Sequence, residues 1–444
     1  MTKNGFISHK SQIIPFHLRD CILLYCLTNK ILTKEVTKLI MQNVLEEFQI
    51  PSKVAANFPR ECFDESFWNA PAKLKKLSLR GCNQLEPNQL IKLIEYYPLI
   101  EELDLSYVPK LLGEEIRICT KNLKNLKKLK VERLLQVKKM KIESSSLEYL
   151  ICCVSSNMEH LELQNTSNLK LLDLRECICL KKISVDKESV CKSLEEVVID
   201  GCESLVELEN FFESIPENSL KKINFWDIKK LDKKHFELFF NKFTNLEELI
   251  LTCCKIQDED IVPLIDSPST KTIKTLCLNG CESLGNQMVR ELVCKCHNLN
   301  VLRIPLSLYD KDCDSISQNC LYLDSVDLSF MPKLTHHSVV SFLTHCKKLR
   351  WISLVDLHFT ENFHQKFLFD TPNLFLHEIN LSYTNLLDEH LISLIEFSPN
   401  LINIDISGCP KLTDKSVKIL FEKLGFIFYF YIYIYFLFIF IFIF

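Results

Sequence analysis

Leu401-Ile402-Asn403-Ile404-Asp405-Ile406-Ser407-Gly408-Cys409-Pro410-Lys411-Leu412-Thr413-Asp414-Lys415-Ser416-Val417 decides the reading of this chain. Its first half alternates apolar and polar residues at Ile404, Asp405 and Ile406, the period of a strand with one buried face. A bend follows at Gly408-Cys409, and Thr413 to Val417 then opens a stretch of helical spacing. The same opening, apolar-x-x-apolar-x-apolar, recurs toward the N-terminus. It starts at Leu376, Leu349, Leu323, Leu299, Ile273, Leu246, Leu220 and Leu194, and again at Leu126, Ile100 and Leu74. Within each of these two runs, successive anchors lie 24 to 27 residues apart. Helical spacing fills the remainder of each unit, as at Leu90, Leu93 and Ile94, or Val339, Val340, Phe342 and Leu343. Each unit therefore predicts one short strand, a turn and a return helix. A unit of this size cannot bury its apolar face alone, so copies must stack around one continuous core with their strands side by side.

Cysteine follows the register. Cys82, Cys202, Cys254, Cys281 and Cys409 sit at the inward turn after the strand, where a thiol fills a tight site and donates weakly to a nearby carbonyl. Gly81, Gly201, Gly280 and Gly408 precede four of them, as a bend with unusual backbone angles requires. A second series, Cys296, Cys320 and Cys346, stands three residues before the next anchor. On these residues the chain resembles the cysteine-containing subfamily of leucine-rich repeats, over about three quarters of its length. That resemblance implies an α/β solenoid, a horseshoe with a concave parallel sheet and convex helices.

The middle departs from the rule, with candidate strands at Leu147, Met158, Leu169, Leu180 and Leu194. Steps of 11 residues cannot hold a strand, a turn and a helix. We read Leu147, Leu169 and Leu194 as concave strands, and the Met158 and Leu180 segments as extended returns on the other side. The concave strands then number fourteen. Three segments result: an N-terminal helical cap over 1–70, repeats over 71–424 and an apolar tail over 425–444. In the first, 17–48 carries helical periodicity at Leu18, Ile22, Leu23, Cys26 and Leu27, then at Val36, Leu39, Ile40, Val44 and Leu45.

Around Cys21-Ile22-Leu23-Leu24-Tyr25-Cys26-Leu27 the chain resembles the start of the zyg-eleven and zer-one family of cullin-RING ubiquitin ligase substrate receptors. The resemblance implies an Elongin C-binding box at Ile22 and Cys26, with Lys30 where the family has an aliphatic residue. It also implies a cullin-selecting box at Leu32, Val36 and Ile40, with Thr33 in place of proline. An F-box docking a Skp-type adaptor is the rival module, though its Leu-Pro opening is missing; a plain capping helix is the structural alternative. The family's armadillo-like array, which follows the repeats and binds degrons, would begin where this chain stops.

Composition bounds the rest. Among 444 residues, 53 basic and 57 acidic side chains leave a net charge of −4, too weak a field to point to nucleic acid. The run Lys121 to Lys130 reads as a solvated face. Twenty-one cysteines with no apolar leader at Met1 to Lys10 imply reduced thiols in cytosol or nucleus. No phosphate-cradling glycine run, metalloprotease motif or nucleophile elbow occurs, so no catalytic residue, cofactor or metal is expected. Cys294, Cys296 and His297 lack a second ligand pair and read as packing. The 426–444 tail holds only Phe, Ile, Tyr and Leu. It is long enough to span a bilayer, but it has no basic residue after it and its tyrosines fall at mid-depth. All four residue types can be encoded by A and T bases alone, which points to read-through of a gene model. Partner contacts are expected on the solvent-facing strand positions. These include Glu102, Asp104 and Ser106; Lys222, Asn224 and Trp226; Val301 and Arg303; Trp351 and Ser353; and Asp405 and Ser407. Trp226, Trp351 and Arg303 are the anchor candidates, because exposed aromatics and arginine dominate protein interfaces; Asp104 is expected beside them as a further partner contact.

Overall fold

The computed structural model describes residues 16–37, 46–63, 73–186, 190–304, 308–358 and 372–424. It is a leucine-rich-repeat solenoid. The chain divides into two compact units, 1–219 and 220–444. In the first, the strands are β1 Glu47–Gln49, β2 Lys76–Ser78, β3 Glu102–Asp104, β4 Lys128–Lys130, β5 Lys139–Glu143, β6 Tyr149–Ile151, β7 His160–Gln164, β8 Leu171–Asp173, β9 Lys182–Val185 and β10 Glu196–Val198. In the second they are β11 Lys222–Asn224, β12 Glu248–Ile250, β13 Thr275–Cys277, β14 Val301–Arg303, β15 Ser325–Asp327, β16 Trp351–Ser353, β17 Glu378–Asn380 and β18 Asn403–Asp405.

All printed strand pairs are parallel and in register, so the anchor leucines superpose from coil to coil. Leu77 pairs with Leu103 and Leu103 with Leu129, and in the second unit Leu276 pairs with Leu302. The apolar triplets are fully buried, among them Leu74, Leu77 and Leu79, or Leu299, Leu302 and Ile304. Fifteen strands share this register, seven in the first unit and eight in the second. The fifteenth, β1, corrects the helical reading of 17–48. Phe48 and Ile50 are buried two residues apart, a strand period, and β1 pairs with β2.

Returns are helical where the coil is long. The first unit has α1 Phe16–Thr28, α2 Pro87–Tyr96, α3 Gly113–Asn122 and a short α4 Glu209–Glu213. The second has α5 Lys233–Lys242, α6 Asp258–Asp266, α7 Asn286–Lys295, α8 Asp310–Asn319, α9 His336–His345, α10 Asp388–Phe397 and α11 Asp414–Leu424. Where coils shorten, the return is extended. The strands β5, β7 and β9 form a second parallel sheet, so the segments at Met158 and Leu180 run as expected. They are joined by β5, where Met140 and Ile142 alternate inward.

The turn after each sheet strand places one residue in the left-handed region. Gly81, Gly201, Gly280 and Gly408 occupy it with φ of 65° to 75°. Tyr107, Arg133, Val154, Glu176, Asp227, Cys253, Phe330, Asp356 and Tyr383 take the same place without being glycine. The cysteine that follows donates its thiol to the carbonyl of the preceding coil. Cys177 reaches Cys152 O at 3.1 Å, Cys202 reaches Leu174 O at 3.2 Å, and Cys281 reaches Leu251 O at 2.9 Å. Burial pushes the Cys281 thiol up to about 12, keeping the proton that this bond uses.

Candidate partner-binding surface

Each sheet strand offers solvent its first and last residues, and the two columns have different chemistry. Along the first column the charges alternate and neutralise each other across coils. Lys76 lies 3.0 Å from Glu47 and 3.3 Å from Glu102. The residue just before the strand repeats the device, with Lys75–Glu46 at 2.9 Å, Lys127–Glu101 at 2.7 Å, Lys170–Glu148 at 2.6 Å and Lys274–Glu247 at 2.7 Å. Glu101 is held below the usual carboxylate range by its hydrogen bond from Lys127.

In the middle of the second unit the first column loses its charge. Thr275, Val301, Ser325 and Trp351 stand in register there. Arg303, at the end of β14, lies flat against Trp351, its guanidinium carbon 4.5 Å from the ring centroid. Arg303 Nη1 donates to Ser325 Oγ at 3.1 Å and to Leu302 O at 3.2 Å, while Asp327 sits 3.9 Å from Nε. The stack fixes the arginine's orientation and leaves further guanidinium donors for a ligand, an arrangement that suits a planar carboxylate.

The other two candidates lie elsewhere. Trp226 is 44% exposed but belongs to the turn beyond β11, where its N–H donates to Asn224 Oδ1 at 2.9 Å. It stands five strands from β16, roughly 24 Å at the usual strand spacing. Asp104, on β3 in the first unit, accepts from the Ser106 N–H at 3.0 Å and so shapes the turn after its own strand. Asp173, Asp327 and Asp405 do the same for Arg175, Ser329 and Ser407. Two columns expected to face out do not: Ser106 and Ser353 are buried. Ser106 Oγ accepts from the Glu132 N–H at 3.2 Å, and Ser353 Oγ meets Ser329 Oγ at 2.8 Å. A hydroxyl small enough to bridge two coils is drawn inward, as its backbone partners need it there.

A second aromatic–arginine contact, not singled out in the sequence, lies at the strand exits of the first unit. Tyr107 has Arg80 4.4 Å and Arg133 5.6 Å from its ring centroid. Its signal was the register: Arg80 and Tyr107 fall at adjoining turn positions of successive coils.

At the N-terminus, α1 has two faces. Leu23, Cys26 and Leu27 are buried, and burial pushes the Cys26 thiol pKa up. Leu18, Ile22 and Tyr25, spaced by four and three residues along one helix stripe, are exposed. Of the second box, Leu32 is buried and Val36 half-buried, and Ile40 falls outside the described residues. Among the described residues no cluster of three His, Cys, Asp or Glu side chains could hold a metal, and no helix is long and apolar enough to cross a membrane. Cys296 is buried and Cys294 donates to Ser315 O at 3.7 Å. The tail beyond Leu424 is outside the described residues.

No family model matches the chain, and no curated protein does. Among solved structures it is similar to a chain of the yeast Rad7–Elc1 complex, at 16% identity and a TM-score of 0.43, covering 91% of this chain and 86% of that one. It is also similar to a chain of the mouse RP105/MD-1 complex, at 14% identity and a TM-score of 0.42, covering 82% and 69%. The internalin inlF of Listeria monocytogenes follows, at 12% identity and a TM-score of 0.37, covering 88% and 93%.

Proposed function

We propose that this chain is the substrate-recognition subunit of a cullin-RING ubiquitin ligase, non-catalytic in itself. The repeat face around Arg303 and Trp351 holds a target protein, and the N-terminal segment docks an adaptor of the Elongin C or Skp type and, with it, a cullin. Ubiquitin transfer belongs to other subunits. A reducing compartment, cytosol or nucleus, suits a chain whose cysteines are all free thiols.

The observation that carries the adaptor half is the outer stripe of α1. Ile22, the box residue that the resemblance aligns with an adaptor contact, is exposed in line with Leu18 and Tyr25. Exposed apolar side chains in one row are a contact surface without a partner. Cys26 lies on the opposite face, so in this reading it seats the helix and Ile22 touches the adaptor. The inward packing of Leu23, Cys26, Leu27 and Leu32 also favours a second reading, a plain cap on a solenoid that scaffolds other proteins.

Capture experiments separate the two. The full chain should retain purified Elongin C or a Skp-type adaptor, together with a cullin, and the Ile22→Glu/Tyr25→Glu variant should lose them while keeping its circular dichroism spectrum. If the unaltered chain captures neither adaptor nor cullin, the ligase reading fails and the cap reading stands.

A further inference from the structure

Two surface cavities in the first unit differ in charge. The cavity over β1 to β4 is lined by Glu47, Glu102 and Asp104 against Lys76, Lys128 and Lys130, and is neutral. A larger one, about 440 Å³, opens between the loops that lead into the strands, from the end of α3 to Lys192. Lys121, Lys124 and Lys192 line it against a single carboxylate, Glu143. That carboxylate is already engaged by Arg117 at 3.3 Å and Lys121 at 3.2 Å.

Charge pairing is the habit of this molecule, so its exceptions are informative. The lysines just before the strands described above each hold a glutamate of a neighbouring coil. Lys192 makes no ion pair among the described residues, and Lys124 Nζ donates only to the Lys121 carbonyl, at 2.6 Å. Hydroxyls accompany them. Ser145 and Ser167 line the same cavity with no hydroxyl partner among the described residues. The neighbouring Ser146 is bound to Leu126 O at 2.9 Å, so the unused donors are those turned to the cavity.

We propose that this cavity binds a phosphomonoester or free phosphate dianion. Two positive charges in excess match its charge of about −2, and ammonium and hydroxyl donors from three successive coils match its three acceptor oxygens. The site uses none of the residues of the Arg303–Trp351 face or of α1, and stands whether or not the ligase reading does. Lys121 and Lys124 begin the basic run that sequence alone assigned to a solvated face; the fold brings Lys192 and the serines against it.

Titration of the full chain by calorimetry, with inorganic phosphate and with O-phosphoserine as probes, tests this. Saturable binding of either probe is expected. It should fall about tenfold in Lys124→Glu/Lys192→Glu, the loss of one charge-assisted hydrogen bond or more, and less in Ser145→Ala. Lys76→Glu/Lys128→Glu, in the neutral cavity, should leave it unchanged. Binding should also weaken below about pH 6, where the dianion takes up a proton. Tighter binding of phosphoserine assigns the site to a phosphorylated side chain, and tighter binding of inorganic phosphate to the free ion. No saturable binding of either probe at low ionic strength, or equal loss in the control variant, overturns the proposal.

Discussion

Between Val137 and Leu208 the return leg of each coil is largely a strand, whereas in the second unit it is a helix. The two solve the same stacking problem with different bonds. Strand legs join through a backbone ladder, β5 to β7 and β7 to β9, over five and four residue pairs respectively. Helical legs cannot share backbone bonds, since theirs close within each helix. They are tied by side chains instead. Asp310, the first residue of α8, accepts from Thr335 N at 2.9 Å, Thr335 Oγ1 at 2.6 Å and Ser338 Oγ at 2.5 Å. Asp388, the first of α10, accepts from Thr413 N at 2.9 Å, Thr413 Oγ1 at 2.6 Å and Ser416 Oγ. Asp258 accepts from Gly285 N at 2.7 Å. One carboxylate thus caps the next coil's helix, where the positive end of the helix dipole favours it. A coil of 21 or 22 residues has no length for a helix, and the backbone ladder replaces the carboxylate.

The largest test of this difference lies in the packing under the helical legs. Phe239 on α5 contacts Phe225 at 5.1 Å and Phe243 at 4.8 Å between ring centroids, fully buried. Phe239→Ala should cost about 3–5 kcal/mol in denaturant unfolding. Leu161→Ala in β7 removes a smaller side chain beside a ladder that persists, so it should cost less; a larger loss would show that the strand legs depend on side-chain packing just as the helices do.

Next comes acidity. Burial alone would raise the Asp388 pKa, but bonds from Ser416 and Thr413 outweigh it and hold the carboxylate below its usual range, and Asp310 behaves likewise through Ser338 and Thr335. A depressed folded pKa stabilises above the unfolded value near 3.9 and is lost as pH falls through the folded one. Hydrogen exchange at α9 and α11 should therefore rise below about pH 4 while the β5–β7–β9 ladder keeps its protection. Asp388→Asn should remove about 1.5–3 kcal/mol at neutral pH and flatten that response. Equal acid sensitivity of the ladder would erase the distinction.

The turns sharpen it from another side. Val154, a β-branched residue in the left-handed region, sits at a turn among the strand legs. Val154→Gly should relieve about 1 kcal/mol. Gly280 takes the same place among the helical coils, and an added Cβ there would come within 2.7 Å of Cys253 Sγ. Gly280→Ala should therefore lower the melting temperature.

The smallest effect concerns a pairing found in both regions. Lys274→Ala breaks an exposed ion pair with Glu247, so melting should shift at low ionic strength and stay unchanged at physiological salt.

The spacing of anchor leucines, the alternation around them and the cysteine after the bend were enough to read a strand-and-return repeat, because each coil repeats the same local geometry and its pattern survives in one dimension. The shortened steps between Leu147 and Leu194 revealed the extended legs for the same reason: length alone forbids a helix there. β1 was missed, since a three-residue strand preceded by helical periodicity has no repeat of its own to announce it. Which exposed side chains meet was decided by tertiary structure. Arg303 and Trp351 lie 48 positions apart in sequence and come together only because two coils bring β14 near β16. Asp104 and Ser106 looked like surface residues, but their hydrogen bonds to backbone belong to the turn and to the next coil, partners that no linear pattern displays.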